Sequence, residues 1–189
     1  MKTKILRFLP TFLAIFAADQ VSKWWIKEIF FEFEDAKPFF EWLVSFGQTM
    51  RSFDTHTMTE FLNFVIVWNK GVSFGLFAND SFTGKLILSG VAILICVFFF
   101  MLLLKSGKKV QHFAIAFIIA GALSNVWDRV RFGAVYDFLD FHVMGWHYPA
   151  FNVADSAITI GVILYIYAEF FIKDNRNSFV KKVGRWHAS

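Results

Sequence analysis

Five aspartates, Asp19, Asp128, Asp137, Asp140 and Asp155, stand inside or at the edges of strongly apolar stretches. Two carboxylates held close together cannot both ionise easily, so they share a proton. One then activates a water molecule while its protonated partner polarises the carbonyl of a scissile bond. Other hydrolytic devices lack their parts. No HExxH pair is present, the five histidines are scattered, the single cysteine, Cys96, lies within an apolar run, and Ser124 has no histidine near it in its helix. No metal and no cofactor are therefore expected. Periodicity does not select which two aspartates would form the pair.

Such residues need elements to hold them, and the composition says where those lie. Of 189 residues, 57% are hydrophobic, 20% aromatic and only 18% charged, with 27 phenylalanines. Mean hydropathy is +0.51. That is more apolar surface than one small core hides, and a disordered soluble chain is excluded. The apolar residues gather into four stretches of about the 20 residues a helix needs to cross a bilayer. They cover residues 5–26, 86–104, 110–130 and 153–172. A basic start followed by the apolar stretch Phe8 to Ala18 also fits a cleaved leader, but no small-x-small site follows it, so the segment is read as a retained span.

Eleven of the 19 basic residues fall at the N-terminus, in the link 105–109 and in the tail 173–189. The connection from Lys27 to Lys85 carries five basic against eight acidic residues. The positive-inside rule then puts both termini in the cytoplasm and the connections 27–85 and 131–152 outside. The basic balance is thus an orientation signal, and nucleic acid is not expected as a partner. With this topology Asp19, Asn125 and Asp155 all sit about 20 to 26 Å from the inner face. Polar groups at that depth are costly and point to a site; the alternative is that they pair with one another and hold helices together.

The long connection 27–85 should have structure of its own. Val65, Ile66, Val67 and Trp68, then Asn69, Lys70 and Gly71, then a further apolar piece to Phe77, read as strand, turn, strand. Phe39, Phe40, Leu43 and Phe46 recur at helical spacing beside Trp42, as a short helix on the membrane surface or as a packing face of the loop domain. Trp24, Trp25, Trp127 and Trp146 fall where interfacial aromatics sit. Asn152 followed by Asp155 reads as an N-cap with an acid in the first helical turn. The expected fold is an all-α polytopic membrane protein, four transmembrane helices with a small extracytoplasmic β-containing loop domain.

The segments AGALSNVWDRVRFGAVYDFLDFH, from Ala120 to His142, and PAFNVADSAITIG, from Pro149 to Gly161, resemble the two most distinctive motifs of the lipoprotein signal peptidases, or signal peptidase II. The family's DQxxK pattern matches Asp19, Gln20 and Lys23, and its NxGxxFG pattern matches Asn69, Gly71, Phe74 and Gly75. The resemblance implies an intramembrane aspartyl endopeptidase of the bacterial inner membrane. It would remove signal peptides from prolipoproteins by cutting before a diacylglyceryl-modified cysteine. Its partners are then those lipid-modified precursors and membrane lipid, and it would act as a monomer.

On the same resemblance the catalytic pair falls on Asp137 and Asp155. Asn69, Gly71, Asn125, Arg129 and Asn152 line the site, Asp19 and Lys23 support it from the first span, and Asp128 is structural. Arg129 is the natural donor to a substrate carbonyl. Ser124 stands where the family more often has glycine, a small-for-small exchange. Residues 31–59 exceed the family's usual loop and match none of its motifs. Asp140, His142 and His147 read as loop packing or solvation. The rival class is a small transporter or proton-coupled channel, which would want polar groups along a whole transmembrane path.

Overall fold

The computed structural model describes residues 2–47, 50–71 and 82–172. Among the described residues four helices are long and apolar enough to cross a membrane: Lys2–Phe30, Gly84–Lys105, Lys109–Phe132 and Val153–Phe171. The first is α1, Lys2–Trp24, which widens into a π-helical turn over Trp25–Phe30. A short α2 follows at Phe39–Val44, then α3 at Phe82–Lys105, α4 at Lys109–Phe132 and α5 at Val153–Phe171. α4 is the central member and packs against α1, α3 and α5. Its sequence says why: Ala114, Ala116, Ala120 and Ala122 are small and buried, so neighbouring backbones come close. α3 by contrast turns Leu86, Val91, Leu94, Val97 and Phe98 outward.

Two glycines set the α4–α5 approach. A Cβ at Gly121 would lie 2.4 Å from the Ala154 carbonyl oxygen, and one at Gly161 would lie 2.7 Å from Ile118 Cγ1 and 2.8 Å from the Ala114 carbonyl oxygen. The neighbours at both points include backbone, which cannot rotate away. Gly161→Ala is expected to cost about 1–3 kcal/mol and to lower the unfolding temperature of the purified protein in detergent. Gly90→Ala, at a site where a Cβ meets nothing within 4 Å, is the matched control, and equal unfolding temperatures for the two variants would overturn the close-approach reading.

Basic residues close one end of the bundle. Lys4 Nζ donates to the carbonyls of Leu103 and Leu104 at 3.2 and 2.6 Å, and Lys108 Nζ donates to those of Ala168 and Glu169, both at 2.9 Å. Each cation thus answers the unpaired carbonyls at a helix C-terminus.

A four-stranded antiparallel sheet, in the order β1-β2-β3-β4, stands at the opposite end. Its strands are β1 Thr55–Thr59, β2 Leu62–Asn69, β3 Val135–Val143 and β4 Trp146–His147. The expected strand over Val65–Trp68 is β2. It turns back at Glu60 and Phe61 onto β1, and on its other side pairs with β3. The second strand expected after Gly71 lies outside the described residues. β3 lies in the connection 131–152, for which no strand is assigned from sequence, and VYDFLDFHV is rich in the β-branched and aromatic residues that fit a pleated surface. Ile26, Ile66, Tyr136 and Phe138 form the core beneath the sheet.

α2 packs against the rest of the fold by one face only. Trp42 is fully buried, with the Arg131 guanidinium 4.3 Å from its ring centre, while Phe40, Val44 and Phe46 are exposed.

Candidate active site

Local sequence fixes the first piece. Asn152 is the N-cap of α5: its side-chain oxygen accepts from the Asp155 backbone N–H at 3.0 Å, and Asp155 Oδ2 accepts from the Asn152 backbone N–H at 3.2 Å. This reciprocal capping box holds Asp155 in the first turn. It leaves the Asn152 amide nitrogen free to reach elsewhere. Asn152 Nδ2 donates to Asp137 Oδ1 at 2.7 Å and to Asn125 Oδ1 at 3.2 Å. One buried asparagine therefore ties Asp137, on β3, to Asp155, on α5.

The remaining oxygens are also held. Asn125 Nδ2 donates to Asp155 Oδ1 at 2.8 Å, and Asn69 Nδ2 donates to Asp137 Oδ2 at 3.1 Å. The Asn69 amide is oriented in turn by the Gly71 backbone N–H, which donates to Asn69 Oδ1 at 3.2 Å. Sheet register carries Asn69 there, since β2 pairs Val67 with Asp137 and Asn69 with Val135.

The two aspartates differ in surroundings. Asp137 is 1% exposed, and burial, followed by the charge of Asp155, pushes its carboxyl up to about 7. Asp155 lines a cleft of about 640 Å³, with Asn69, Tyr148, Phe151 and Ile158 among its walls. Arg129 feels the charges of both aspartates. Its Nε is buried and finds no hydrogen-bond partner among the described residues. The arrangement offers one enclosed carboxyl, one facing the cleft and a guanidinium within range of their charges.

A second buried network lies against the first. Lys23 Nζ sits 2.7 Å from both Asp19 Oδ2 and Asp128 Oδ2, with all three side chains fully buried. It also donates to Asn125 Oδ1 at 3.2 Å, which joins the two networks. Asp19 Oδ1 accepts from the Ala154 backbone N–H at 2.8 Å, and Asp128 Oδ2 accepts from that of Tyr136 at 3.4 Å. The first turn of α5 and the start of β3 are thereby both anchored to this cluster.

Three members of this cluster carry more than sequence reasoning assigned them. Arg131 Nη2 donates to Gln20 Oε1 at 2.7 Å and lies 3.2 Å from Asp128 Oδ1. Gln20 Nε2 donates to Ser124 Oγ at 2.9 Å and to Asp128 Oδ1 at 3.1 Å. Ser124 is more than a small residue, because its hydroxyl donates to Asp19 Oδ2 at 2.6 Å. Arg131 stands three residues after Asp128, the spacing of a helical ion pair, and that signal was there to be read.

Residues 11–171 match the protein family described as signal peptidase (SPase) II. A lipoprotein signal peptidase of Janthinobacterium sp. (strain Marseille) is 44% identical over 117 residues, covering 61% of this chain and 71% of that protein. Another from Anaplasma phagocytophilum (strain HZ) is 41% identical over 124 residues, covering 65% and 78%. A solved structure described as a bacterial membrane enzyme aligns with a TM-score of 0.63 at 28% identity, over 92% of this chain and 96% of that one.

Proposed function

The chain belongs to the signal peptidase II family, and from that premise we propose that it removes signal peptides from diacylglyceryl-modified prolipoproteins, with Asp137 and Asp155 as its catalytic pair. It is an aspartic endopeptidase of lipoprotein processing. The observation that carries the pair is Asn152, which holds one oxygen of Asp137 through its side chain and brackets Asp155 through its capping box.

In the ground state the pair shares one proton. Asp137, the enclosed member, keeps it; Asp155 meets water in the cleft. Water attacks the carbonyl carbon of the bond before the lipidated cysteine as its proton passes to Asp155. The carbonyl oxygen draws the Asp137 proton, with Arg129 donating to the developing charge. The tetrahedral intermediate collapses, the carbon–nitrogen bond breaks and the leaving amine takes a proton from the pair. Asn69, Asn125 and Asn152 are positioning residues that fix the carboxylates before substrate arrives. Gly71 acts through Asn69, and Asp19, Lys23 and Asp128 hold the helices that carry the site.

Charge supports the orientation proposed. Lys4 and Lys108 close the end of the bundle away from the sheet, so both termini face the cytoplasm of the bacterial inner membrane and the sheet and cleft open outward. The spans are residues 5–26, 86–104, 110–130 and 153–172 in their membrane-embedded parts. The substrate's acyl chains stay in the outer leaflet while its apolar helix lies among the spans, so the bilayer fixes the depth of the scissile bond. One copy of the chain holds every residue this chemistry uses, and the enzyme acts as a monomer.

The pH profile tests the shared proton. As pH rises through the value near 7 to which Asp137 is pushed, the pair loses its proton and with it the acid. As pH falls, the second carboxylate is protonated and the base is lost. Cleavage of a lipidated precursor by the purified enzyme should give a bell-shaped kcat/KM with its alkaline limb near 7. A profile still rising past pH 9 would overturn the one-proton pair.

A further inference from the structure

Asp140, His142 and His147 read as packing or solvation in sequence, yet the fold draws them together. Side chains alternate along a strand, so Asp140 and His142 share one face of β3. Register then sets His147 of β4 opposite His142. The turn between them is the two-residue kind that hairpins favour: Met144 and Gly145 both have positive φ, 50° and 82°. One ligand atom from each of Asp140, His142 and His147 lies within 4.8 Å of the other two. His147 Nδ1 is 3.0 and 2.9 Å from the two Asp140 oxygens, and the two imidazoles stack at 5.1 Å.

An Asp–His pair alone leaves part of this unexplained. His142 Nδ1 is buried and has no hydrogen-bond partner among the described residues. Asp140 is buried at 8% exposure and is oriented from β2 by Asn63, whose Nδ2 donates to Asp140 Oδ2 at 2.9 Å. An unpaired buried imidazole nitrogen, a second imidazole and a carboxylate with its own outer partner are the parts of a metal site.

We propose that Asp140, His142 and His147 bind a divalent transition-metal ion, zinc by ligand type, that clamps the β3–β4 hairpin beside the cleft. Two nitrogens and one oxygen suit zinc rather than magnesium or calcium, and a water completes four-coordination. Tetrahedral bonds of about 2.0–2.1 Å need ligand atoms about 3.3 Å apart. The side chain of His147 is 52% exposed, so its ring has room to adjust to the ion. The ion is structural: it would hold Trp146, His147 and Tyr148, which form one wall of the cleft, and it touches neither catalytic aspartate. The site is independent of the proposed catalytic pair, so either can fail alone.

Full-length, tag-free protein in detergent is titrated with zinc by calorimetry and followed by thermal unfolding. One equivalent is expected to bind and to raise the unfolding temperature, while magnesium does neither. His142→Ala and His147→Ala should each weaken binding by more than about 100-fold, and Asn63→Ala by about tenfold. Zinc-free unfolding curves verify that each variant is folded, and His147→Ala, on an exposed strand, suffices if the buried changes perturb the sheet. Absence of zinc binding, or binding undiminished in His147→Ala, would overturn the site.

Discussion

Asp137→Asn and Asp155→Asn are each expected to lower cleavage of a diacylglyceryl-modified prolipoprotein by about a thousandfold or more, while the protein still inserts and accumulates. Asparagine keeps the size and the hydrogen-bonding oxygen of aspartate. At position 155 it can still accept from the Asn152 backbone N–H, and at 137 from Asn152 Nδ2, the bonds now at 3.2 and 2.7 Å. What it cannot do is carry a negative charge or exchange a proton. The substitution thus removes the chemistry and keeps one of the two accepted bonds, while Asn125 Nδ2 at 155 and Asn69 Nδ2 at 137 lose their acceptor. At Asp137 it also removes a carboxyl that is costly to ionise, since burial and the neighbouring Asp155 oppose its charge. That variant should unfold no more easily than the wild type above pH 7. The measurement is single-turnover cleavage beside a thermal unfolding curve, with Asp54→Asn, at an exposed position outside both sites, as the carboxylate control. Near-normal cleavage by either dyad variant sinks the assignment, and loss of folding together with cleavage would show that the residues serve only structure.

What could be read in advance divides along the range of the interactions. Asn152 and Asp155 lie three residues apart, and a capping box is a local event, so their spacing predicts the geometry at the start of α5. The apolar stretches predict helices for the same reason, because length and composition are properties of a segment. Asn69 and Asp137 lie 68 residues apart and meet only because β2 and β3 pair in one register. No window along the chain contains that information. β3 itself carried a strand signal in its aromatic and β-branched residues, but its position between two spans invited the reading of a connection. The resemblance to a family supplied the choice of Asp137 and Asp155, where spacing left five aspartates open. It gave no hydrogen-bonding role to Gln20, Ser124 and Arg131, whose side chains close the buried network across α1 and α4.

That network sets the second large expectation. Asp19 and Asp128 are balanced by Lys23 and Arg131, and all four side chains are fully buried. Removing one partner of such a set leaves an uncompensated charge in a low-dielectric interior, at a cost of about 3–5 kcal/mol. Lys23→Met is therefore expected to lower the unfolding temperature by roughly 10 °C and to reduce accumulation in the membrane. Adding Asp19→Asn restores the balance of one acid to one base. Its amide oxygen can still accept from the Ala154 backbone N–H, as Asp19 Oδ1 does at 2.8 Å. The double variant should be more stable than Lys23→Met alone, although it has lost two native side chains instead of one. A merely additive role for the two residues predicts the reverse order, so the ranking of the two unfolding temperatures decides the matter. Activity adds a second reading. Lys23 Nζ also donates to Asn125 Oδ1, and Asn125 Nδ2 holds Asp155. The double variant should recover stability without recovering full kcat, because charge balance restores the bundle while the path from Lys23 to Asp155 stays broken.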